Sequence, residues 1–219
     1  MNYCATCILP DTRPHLRIDA NGNCNCPASA QAPRIDWRRR KAAWEKLVRE
    51  TRARKAAYDC VVPVSGGKDS TWQVLTALRW KLRPLAVTWK SPARNALGEA
   101  NLQNLIRLGV DHIDFTINPK VEKKFTWKAF EKFGSPAIPM HMALHAIPLR
   151  VAVNYRIPLI LWGENSAYEY GGDESEKLKG FQLTPEWFRK YGVTHGTQAE
   201  DWVGPGLSQA DLTPYRFPA

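Results

Sequence analysis

The 219-residue sequence contains no apolar run close to the roughly 18 residues that a membrane-spanning helix requires. Its first residues also lack a basic stretch followed by an apolar one, which is the pattern of a secretory signal. Both absences argue against a membrane-inserted or exported protein. We therefore expect a cytoplasmic protein that has no membrane partner.

Cysteine is scarce as well, with five residues in all, and four of them fall within the first 26 positions. An odd number cannot pair completely, and this clustering favours metal binding over a disulfide framework. Internal repeats and low-complexity tracts are also missing from the sequence. Hydrophobic residues make up 44% of the chain, which predicts a folded core. The length suits one α/β domain with a small appendage.

Two closely spaced cysteine pairs near the N-terminus predict a metal site. Cys4 and Cys7 have Cys-x-x-Cys spacing, and Cys24 and Cys26 follow a loop rich in Pro, Gly and Asn. Four thiolates suit the tetrahedral coordination of a structural Zn²⁺ ion. The second pair is one residue shorter than usual, so Cys26 either takes a distorted turn or leaves its place to His15 or water. Unliganded cysteines are the alternative.

Positive charge is concentrated between residues 34 and 55. The chain carries a net charge of +10, and this segment holds ten Lys or Arg residues against three acidic ones. We expect Asp36 to cap a helix over residues 37–57 whose packing face consists of Trp37, Trp44, Leu47, Val48 and Thr51. The basic face could meet nucleic acid, an anionic sugar nucleotide or an acidic subunit, or it could be only solvated.

One segment, Val61–Thr71, organises the rest of the chain, because an apolar strand leads into a glycine turn that opens a helix. Without Cβ atoms, Gly66 and Gly67 let successive backbone N–H groups point at one oxyanion beside the helix N-terminus. Neighbouring serines add hydroxyl groups, and Lys68 adds a mobile positive charge. The pattern predicts a phosphate-binding loop.

This loop is not a Walker loop, which would require a glycine at Val62 and a hydroxyl residue at Asp69. It resembles the Ser-Gly-Gly-x-Asp-Ser loop of the PP-loop ATP pyrophosphatases, which hold the β,γ-pyrophosphate of ATP and release AMP. A chance tight turn between strand and helix is the alternative. The resemblance implies an ATP-binding set of Ser65, Gly66, Gly67, Lys68, Asp69 and Ser70.

Strands and helices alternate along the sequence. We expect strands over residues 59–64, 84–89, 110–117 and 158–162, and helices over residues 71–82, 98–108, 118–133 and 138–155. This order predicts an α/β fold with a doubly wound, mostly parallel sheet and helices on both faces. Ligands bind at the carboxyl ends of such strands, which adds Val87 and Thr88 as contacts of the nucleotide base.

The same sheet edge is expected to hold Glu164 and Asn165, which follow the fourth strand. A polar segment comes next and puts carboxylates and flexible backbone where the Mg²⁺ ion of a triphosphate or a substrate would lie. A polar surface loop is the alternative for this segment. Its candidate residues are Glu169, Tyr170, Gly171 and Gly172.

These patterns divide the chain into three parts. Residues 1–33 form a Cys-rich zinc knuckle, residues 34–57 a basic helix or linker, and residues 58–219 a PP-loop ATP pyrophosphatase domain. Past Gly192 the tail is rich in Gly, Pro and Thr. We expect no closing element there and a domain that is truncated at its C-terminus.

Further segments extend the resemblance beyond the loop. They are Asn2-Tyr3-Cys4 through Pro10-Asp11-Thr12-Arg13-Pro14, Tyr58-Asp59-Cys60, Leu108-Gly109-Val110-Asp111-His112, Trp162-Gly163-Glu164-Asn165 and Glu169-Tyr170-Gly171-Gly172. Together with the loop, and in the same order, they resemble the N-acetyl sugar amidotransferase family of bacterial surface-polysaccharide and pseudaminic-acid enzymes. The chain departs from that family in its shortened second cysteine pair and in ending at Ala219, well before family chains do.

The resemblance implies that an acetamido group on a sugar is converted to an acetamidino group at the cost of ATP. AMP is transferred to the amide oxygen, and ammonia then displaces it. Lys68 would stabilise charge as the α-phosphate is attacked, and Asp69 would order the loop or assist Mg²⁺. Glu164 and Asn165 would orient substrate or metal. The residues expected to hold the pyrophosphate are Ser65, Gly66, Gly67 and Ser70.

The family takes its ammonia from a separate glutaminase through a channel protein. No cysteine of this chain suits a glutaminase nucleophile, because Cys60 falls in a buried strand and the others are assigned to the metal. We therefore expect glutaminase and ammonia-channel partner proteins, or free ammonium, with an acetamido sugar as substrate.

Two other functions remain open. A tRNA-modifying PP-loop enzyme would use the basic helix against phosphates, although no further cysteine pair follows the loop to carry sulfur. A non-catalytic module would hold only nucleotide or a partner.

Overall fold

The computed structural model describes residues 1–12, 16–26, 35–163 and 183–218. Within these residues, three strands form one sheet, namely β1 (Cys60–Pro63), β2 (Pro84–Trp89) and β3 (Asp111–Phe115). The helices are α1 (Trp37–Ala53), α2 (Lys68–Arg79), α3 (Ala96–Ile106), α4 (Pro119–Phe133), α5 (Ile138–Asn154) and α6 (Pro185–Tyr191). Two short 3-10 helices follow at Ala199–Trp202 and Thr213–Tyr215. None of these helices is both long enough and apolar enough to cross a membrane.

The three strands are parallel and lie in the order β1-β2-β3. Val61 is paired with Leu85, and Leu85 is paired with Asp111 in the next strand. Helix α2 connects β1 to β2, and α3 connects β2 to β3. The strand–helix alternation that the sequence predicts is therefore confirmed for this part of the chain.

The prediction of a fourth strand over residues 158–162 is wrong for the part of the chain described. Ile160 makes a single parallel bridge to Val61, supported by two backbone hydrogen bonds of 2.9 Å. Pro63, two residues farther along β1, has no N–H to donate to the Leu161 carbonyl. That carbonyl accepts from Nε2 of Gln73 at 3.4 Å instead, so the pairing stops after one residue.

The sheet has a hydrophobic core on each face, because adjacent residues of a strand point to opposite sides. Val61 belongs to one core, with α4 and α5 and the buried Phe125 and Met142. Val62 belongs to the other, with α2 and α3 and the buried Val74. Helices thus cover both faces, which confirms the α/β layering on a smaller sheet than the sequence predicts.

Helix α1 begins after the Asp36 cap, as the sequence predicts, but ends at Ala53. Val48 and Thr51 are its buried residues. The prediction that Trp37 and Leu47 also belong to the packing face is wrong, because Trp37 is 71% exposed and Leu47 is 38% exposed. Trp37 lies at the very start of the helix, beyond the surface that the core covers.

Residues 183–218 close the core on the α4 and α5 side of the sheet. Trp202 and Tyr215 each pack against Phe125, with ring centroids 5.0 Å apart in both pairs. Leu207 and Leu212 are fully buried beside them. The expectation of a tail without a closing element is therefore wrong, because its aromatic and leucine residues complete a core that α4 and α5 leave open.

Candidate functional site

The predicted phosphate-binding loop lies between β1 and α2. Gly66 has a φ of +82°, and a Cβ atom there would lie 2.8 Å from the backbone nitrogen of Leu102 in α3. Both the dihedral angle and the contact demand glycine. The turn is therefore packed directly against the backbone of α3.

Helix α2 presents its N-terminus to this turn. Gly67 is the N-cap residue and makes no side-chain capping bond. The backbone N–H groups of the first turn, beginning at Lys68, lie at the positive end of the helix dipole. Such an N-terminus, next to a glycine turn, can bind a phosphate group.

The two serines of the loop hold its shape. The Ser70 hydroxyl donates to the Gly67 carbonyl at 3.1 Å and accepts from the Ser65 N–H at 3.4 Å. The Ser65 hydroxyl oxygen accepts from the Gly67 N–H at 3.3 Å. Ser70 is buried and Ser65 is exposed. The Ser65 hydroxyl is therefore the one that a ligand can reach, and pyrophosphate binding by both serines stays a prediction.

Lys68 and Asp69 stand at the open side of the loop. Nζ of Lys68 lies 2.8 Å from Oδ1 of Asp69, and the two side chains are 88% and 75% exposed. An ion pair this exposed contributes little to stability. The ammonium group can therefore leave Asp69 for a phosphate at small cost.

Thr88 supports the loop from below. Its hydroxyl donates to the Val64 carbonyl at 2.8 Å, and its oxygen lies 2.9 Å from Nε2 of His112 on β3. Because the hydroxyl proton points to a carbonyl, His112 donates from Nε2. Burial lowers the pKa of His112 below its ordinary value. In the sheet register His112 is paired with Ala86, two residues before Thr88 on β2, so the contact with Thr88 is diagonal, and only the parallel pairing of β2 with β3 could have indicated it.

Val87 and Thr88, the predicted contacts of the nucleotide base, are both buried. The Val87 side chain is only 1% exposed, and its carbonyl accepts from the Val64 N–H at 2.9 Å. Thr88 is likewise buried, with its hydroxyl engaged by the loop. The structure assigns both residues to the foundation of the loop, and nucleotide binding by them stays a prediction.

The other predicted substrate residues lie outside the described ranges. They are Glu164, Asn165, Glu169, Tyr170, Gly171 and Gly172. The described chain reaches Gly163, where a Cβ atom would lie 3.0 Å from Oε1 of Gln73 in α2. The segment that leads to them thus ends beside the first turns of α2.

Three cysteines form a separate candidate metal centre. The sulfur atoms of Cys4, Cys7 and Cys24 all lie within 4.8 Å of one another, and those of Cys7 and Cys24 are 3.4 Å apart. Sulfur ligands at about 2.3 Å from a tetrahedral Zn²⁺ ion fit this spacing. Among the described residues Cys26 is fully buried and lies outside this group of three, so metal binding by Cys26 stays a prediction. The alternative ligand His15 lies outside them.

Backbone donors surround the Cys4 sulfur. The N–H groups of Thr6 and Cys24 donate to it at 3.4 and 3.2 Å. Burial raises the pKa of the Cys4 thiol, but hydrogen bonds from the backbone of Cys7, Cys24 and Thr6 outweigh burial and lower it to about 6. Burial raises the pKa of Cys7 to about 11. One thiolate is thus stabilised by the protein itself, which suits a cation in the centre of the group.

A cavity of about 370 Å³ opens at the carboxyl ends of β2 and β3. It lies between the starts of α3 and α4, and its wall includes Lys90, Asn95 and Glu122. Ligands in open α/β sheets bind at this edge. No residue of the phosphate-binding loop lines the cavity, so it is a neighbour of the loop and not part of it.

Arg94 organises the α3 side of the cavity. Its guanidinium makes a two-pronged contact with Asp114, at 2.6 and 2.7 Å, and reaches Glu99 at 3.2 Å. Its side chain is only 10% exposed. Burial works against ionisation of Asp114, but the Arg94 guanidinium holds its pKa below the usual range. Sequence reasoning missed this network, since no local motif marks it.

No protein-family model matches the sequence, and no curated protein matches it. Among the solved structures that match is an NMN synthetase from Francisella tularensis, with a TM-score of 0.40 and 21% sequence identity. The match covers 58% of this chain and 55% of that one, so the chain spans little more than half the length of that protein.

Proposed function

We propose that this protein is an ATP-dependent, AMP-forming amidotransferase that acts on an acetamido sugar. The observation that carries the proposal is the loop between β1 and α2. Only glycine fits at position 66, because a Cβ atom there would lie 2.8 Å from the Leu102 backbone nitrogen. The N-terminus of α2, which has no side-chain cap, follows directly. A Ser-Gly-Gly-Lys-Asp-Ser sequence in this geometry supports a PP-loop that holds the β,γ-pyrophosphate of ATP.

Each residue of the loop has a part in the proposed reaction. The backbone of Gly66 and Gly67 leaves room for the pyrophosphate, and the Ser65 hydroxyl donates to it. Ser70 keeps the turn closed through the Gly67 carbonyl. Lys68 exchanges its exposed contact with Asp69 for the negative charge that grows on the departing pyrophosphate.

The reaction is an exchange of oxygen for nitrogen at an amide carbon. The acetamido oxygen attacks the α-phosphate of ATP, and the bond to the β-phosphate breaks to release pyrophosphate. Ammonia then forms a new bond to the amide carbon, and AMP leaves with the original oxygen. The products are an acetamidino sugar, AMP and pyrophosphate. Mg²⁺ on the phosphates, with Asp69, Glu164 and Asn165 as candidate contacts, supplies charge neutralisation when bound.

Ammonia has to come from elsewhere. Burial first, and the neighbouring Asp59 second, raise the pKa of the Cys60 thiol to about 12, so it is not a thiolate at neutral pH. Cys4, Cys7 and Cys24 belong to the candidate metal centre, and Cys26 is fully buried. The chain thus offers no glutaminase nucleophile among them, and the proposal includes a glutaminase and an ammonia-channel protein as partners.

A second candidate is a PP-loop enzyme that modifies tRNA. The observation that favours it is helix α1, whose residues Arg38, Arg39 and Arg40 are all exposed and could contact phosphates. Both candidates share the AMP-forming step and differ in the acceptor.

The decisive experiment measures AMP formation from ATP and ammonium with two sets of acceptors. One set contains free, UDP-linked and CMP-linked acetamido sugars, and the other contains total tRNA. Sugar-dependent AMP formation supports the proposal, and tRNA-dependent AMP formation supports the second candidate. ATP binding without AMP formation by any acceptor would reject both and leave a non-catalytic nucleotide-binding module.

A further inference from the structure

The cavity at the ends of β2 and β3 has no part in the loop chemistry described above. Lys90 and Ser91 follow β2 directly, and Thr116 and Ile117 follow β3, so both strand ends contribute to its wall. Its volume of about 370 Å³ lies in the range of small-molecule sites, roughly 300–1,000 Å³. It can take a ligand the size of one sugar ring.

Glu122 is the buried polar group of this cavity. It is 7% exposed, and one carboxylate oxygen accepts from Nε1 of Trp89 at 3.0 Å. Within the described ranges the Glu122 side chain makes no other hydrogen bond or ion pair. Its second oxygen is not among the fully buried atoms that lack a hydrogen-bond partner, so it is accessible. The second oxygen therefore opens on the cavity that Glu122 lines. Burial raises the pKa of Glu122, as expected for a carboxyl group without a cationic partner.

The rest of the wall does not suit a phosphate. The Arg94 guanidinium is occupied by Asp114 and Glu99. The start of α3 is capped by Asn95, which accepts from the Gly98 N–H at 2.8 Å. The Glu122 carboxyl would repel an anion, and an anion in a cavity requires several donors.

The start of α4 is closed to an anion as well. Asn118 accepts from the Lys120 N–H at 3.0 Å, and Pro119 has no N–H to give. What remains in the cavity is one carboxyl oxygen, two hydroxyl groups, some carbon surface and the Lys90 ammonium, which lies 3.9 Å from Oδ2 of Asp114. A neutral ring that carries several hydroxyl or amide N–H donors matches this set.

We propose that the cavity binds a pyranose-sized sugar, and that Glu122 accepts a hydrogen bond from one of its hydroxyl or amide N–H groups. This inference deepens the proposed function, on which it rests for identifying the sugar as the acceptor of the reaction. Helix α3 connects the two sites, because Ala96 lines the cavity and the Leu102 backbone contacts Gly66 of the loop.

The test compares Glu122→Gln with Glu131→Gln in the full chain. Glutamine keeps an oxygen for Trp89 but replaces the oxygen that faces the cavity with an NH₂ group. Glu131→Gln is the control, because it makes the same substitution at an exposed position of α4. The probes for calorimetric titration are N-acetylglucosamine, N-acetylgalactosamine, their UDP-linked forms, and ATP alone. Sugar titrations are carried out without ATP, so they do not depend on catalysis.

We expect at least one sugar probe to bind the wild type, and Glu122→Gln to weaken it at least tenfold. Glu131→Gln should leave sugar affinity unchanged, and ATP affinity should be the same in all three proteins. The proposal is overturned if no sugar probe binds, if Glu122→Gln binds as well as wild type, or if Glu122→Gln loses ATP affinity instead.

A second variant tests the cavity by filling it. Ala96 is exposed at the first position of α3, so Ala96→Trp places a large side chain in the cavity without entering the core. It should abolish sugar binding and leave ATP affinity intact, and unchanged sugar binding would contradict the proposal. Glu122-dependent sugar binding without any AMP formation would reject the proposed function while upholding this site, so the two failures are distinguishable.

Discussion

The Thr88 hydroxyl donates to the Val64 carbonyl at 2.8 Å, and this bond joins the second strand to the first residue before the phosphate-binding loop. His112 adds a third strand to the chain of hydrogen bonds, 2.9 Å from the same hydroxyl. The position of the loop thus depends on the buried Thr88, which bonds to Val64, and on the half-buried His112, which bonds to Thr88.

We expect Thr88→Val to destabilise the protein by about 1–3 kcal/mol, because the Val64 carbonyl loses its partner in a buried place and the His112 ring loses one in a half-buried place. ATP affinity should fall as the loop loses its support. Thr88→Ser keeps the hydroxyl and should retain most of both. Urea unfolding and calorimetric ATP titration measure the two effects. Equal stability and equal ATP affinity of the valine and serine variants would show that the Thr88 hydroxyl does not support the loop.

Gly66→Ala is expected to abolish ATP binding and to destabilise the fold. A left-handed backbone alone costs an L-residue about 1–2 kcal/mol, and here the new Cβ would also lie 2.8 Å from the Leu102 nitrogen. Gly109→Ala is the matched control, because Gly109 has a φ of +94° with nothing within 4 Å of an added Cβ. It should show the dihedral cost only, with normal ATP affinity. Loss of ATP binding in both variants would indicate general unfolding.

Zinc binding by the cysteine group can be measured directly. Purified protein should contain one zinc ion per chain, and Cys7→Ser should lower that content sharply, because Cys7 and Cys24 contribute sulfur atoms 3.4 Å apart. Cys60→Ala is the control, since Cys60 lies in β1 and outside the group. Mass-spectrometric metal analysis provides the content. A wild type without zinc, or equal zinc in wild type and Cys7→Ser, would count against the site.

Stability is expected to fall as the pH drops below about 6.5, the ordinary pKa of histidine. Burial lowers the pKa of His145, whose Nδ1 donates to the His141 carbonyl at 2.9 Å while its ring stacks on Trp162 at 5.4 Å. The unfolded chain then takes up a proton that the folded chain does not, which favours unfolding in acid.

His145→Phe preserves a flat ring beside Trp162 and removes the proton-binding group. The difference in unfolding free energy between pH 7 and pH 5.5 should therefore shrink in the variant. It should not vanish, because burial also lowers the pKa of His112. Urea unfolding at the two pH values gives the comparison, and an identical pH dependence in variant and wild type would show that His145 titrates normally.

Local sequence patterns predicted the elements that local chemistry decides. The glycine pair predicts the turn at Gly66, and Asp36 predicts the start of α1 because its side chain can cap a helix. Helix α2 begins at Lys68, three residues earlier than the sequence predicts, because the loop itself supplies the N-cap. These features depend on a few neighbours along the chain.

Features that depend on distant partners were not predictable in this way. The fourth strand fails because Pro63, on another strand, lacks the N–H that would extend it. Trp37 has the right helical spacing, but the core does not extend to it. The contact of Arg94 with Asp114 joins residues 20 positions apart that are separated by helix α3. Only the assembled sheet brings such groups together.

The products formed from ATP test the central claim most directly. In the presence of ammonium and the acetamido-sugar set, phosphorus NMR should show AMP and pyrophosphate in equal amounts. Lys68→Ala should slow their formation about a hundredfold, in line with the roughly 2.7–4 kcal/mol that a lost oxyanion donor costs, and Lys123→Ala, an exposed lysine on α4, should match the wild type. ADP and orthophosphate as the products, or full activity of Lys68→Ala, would contradict the account.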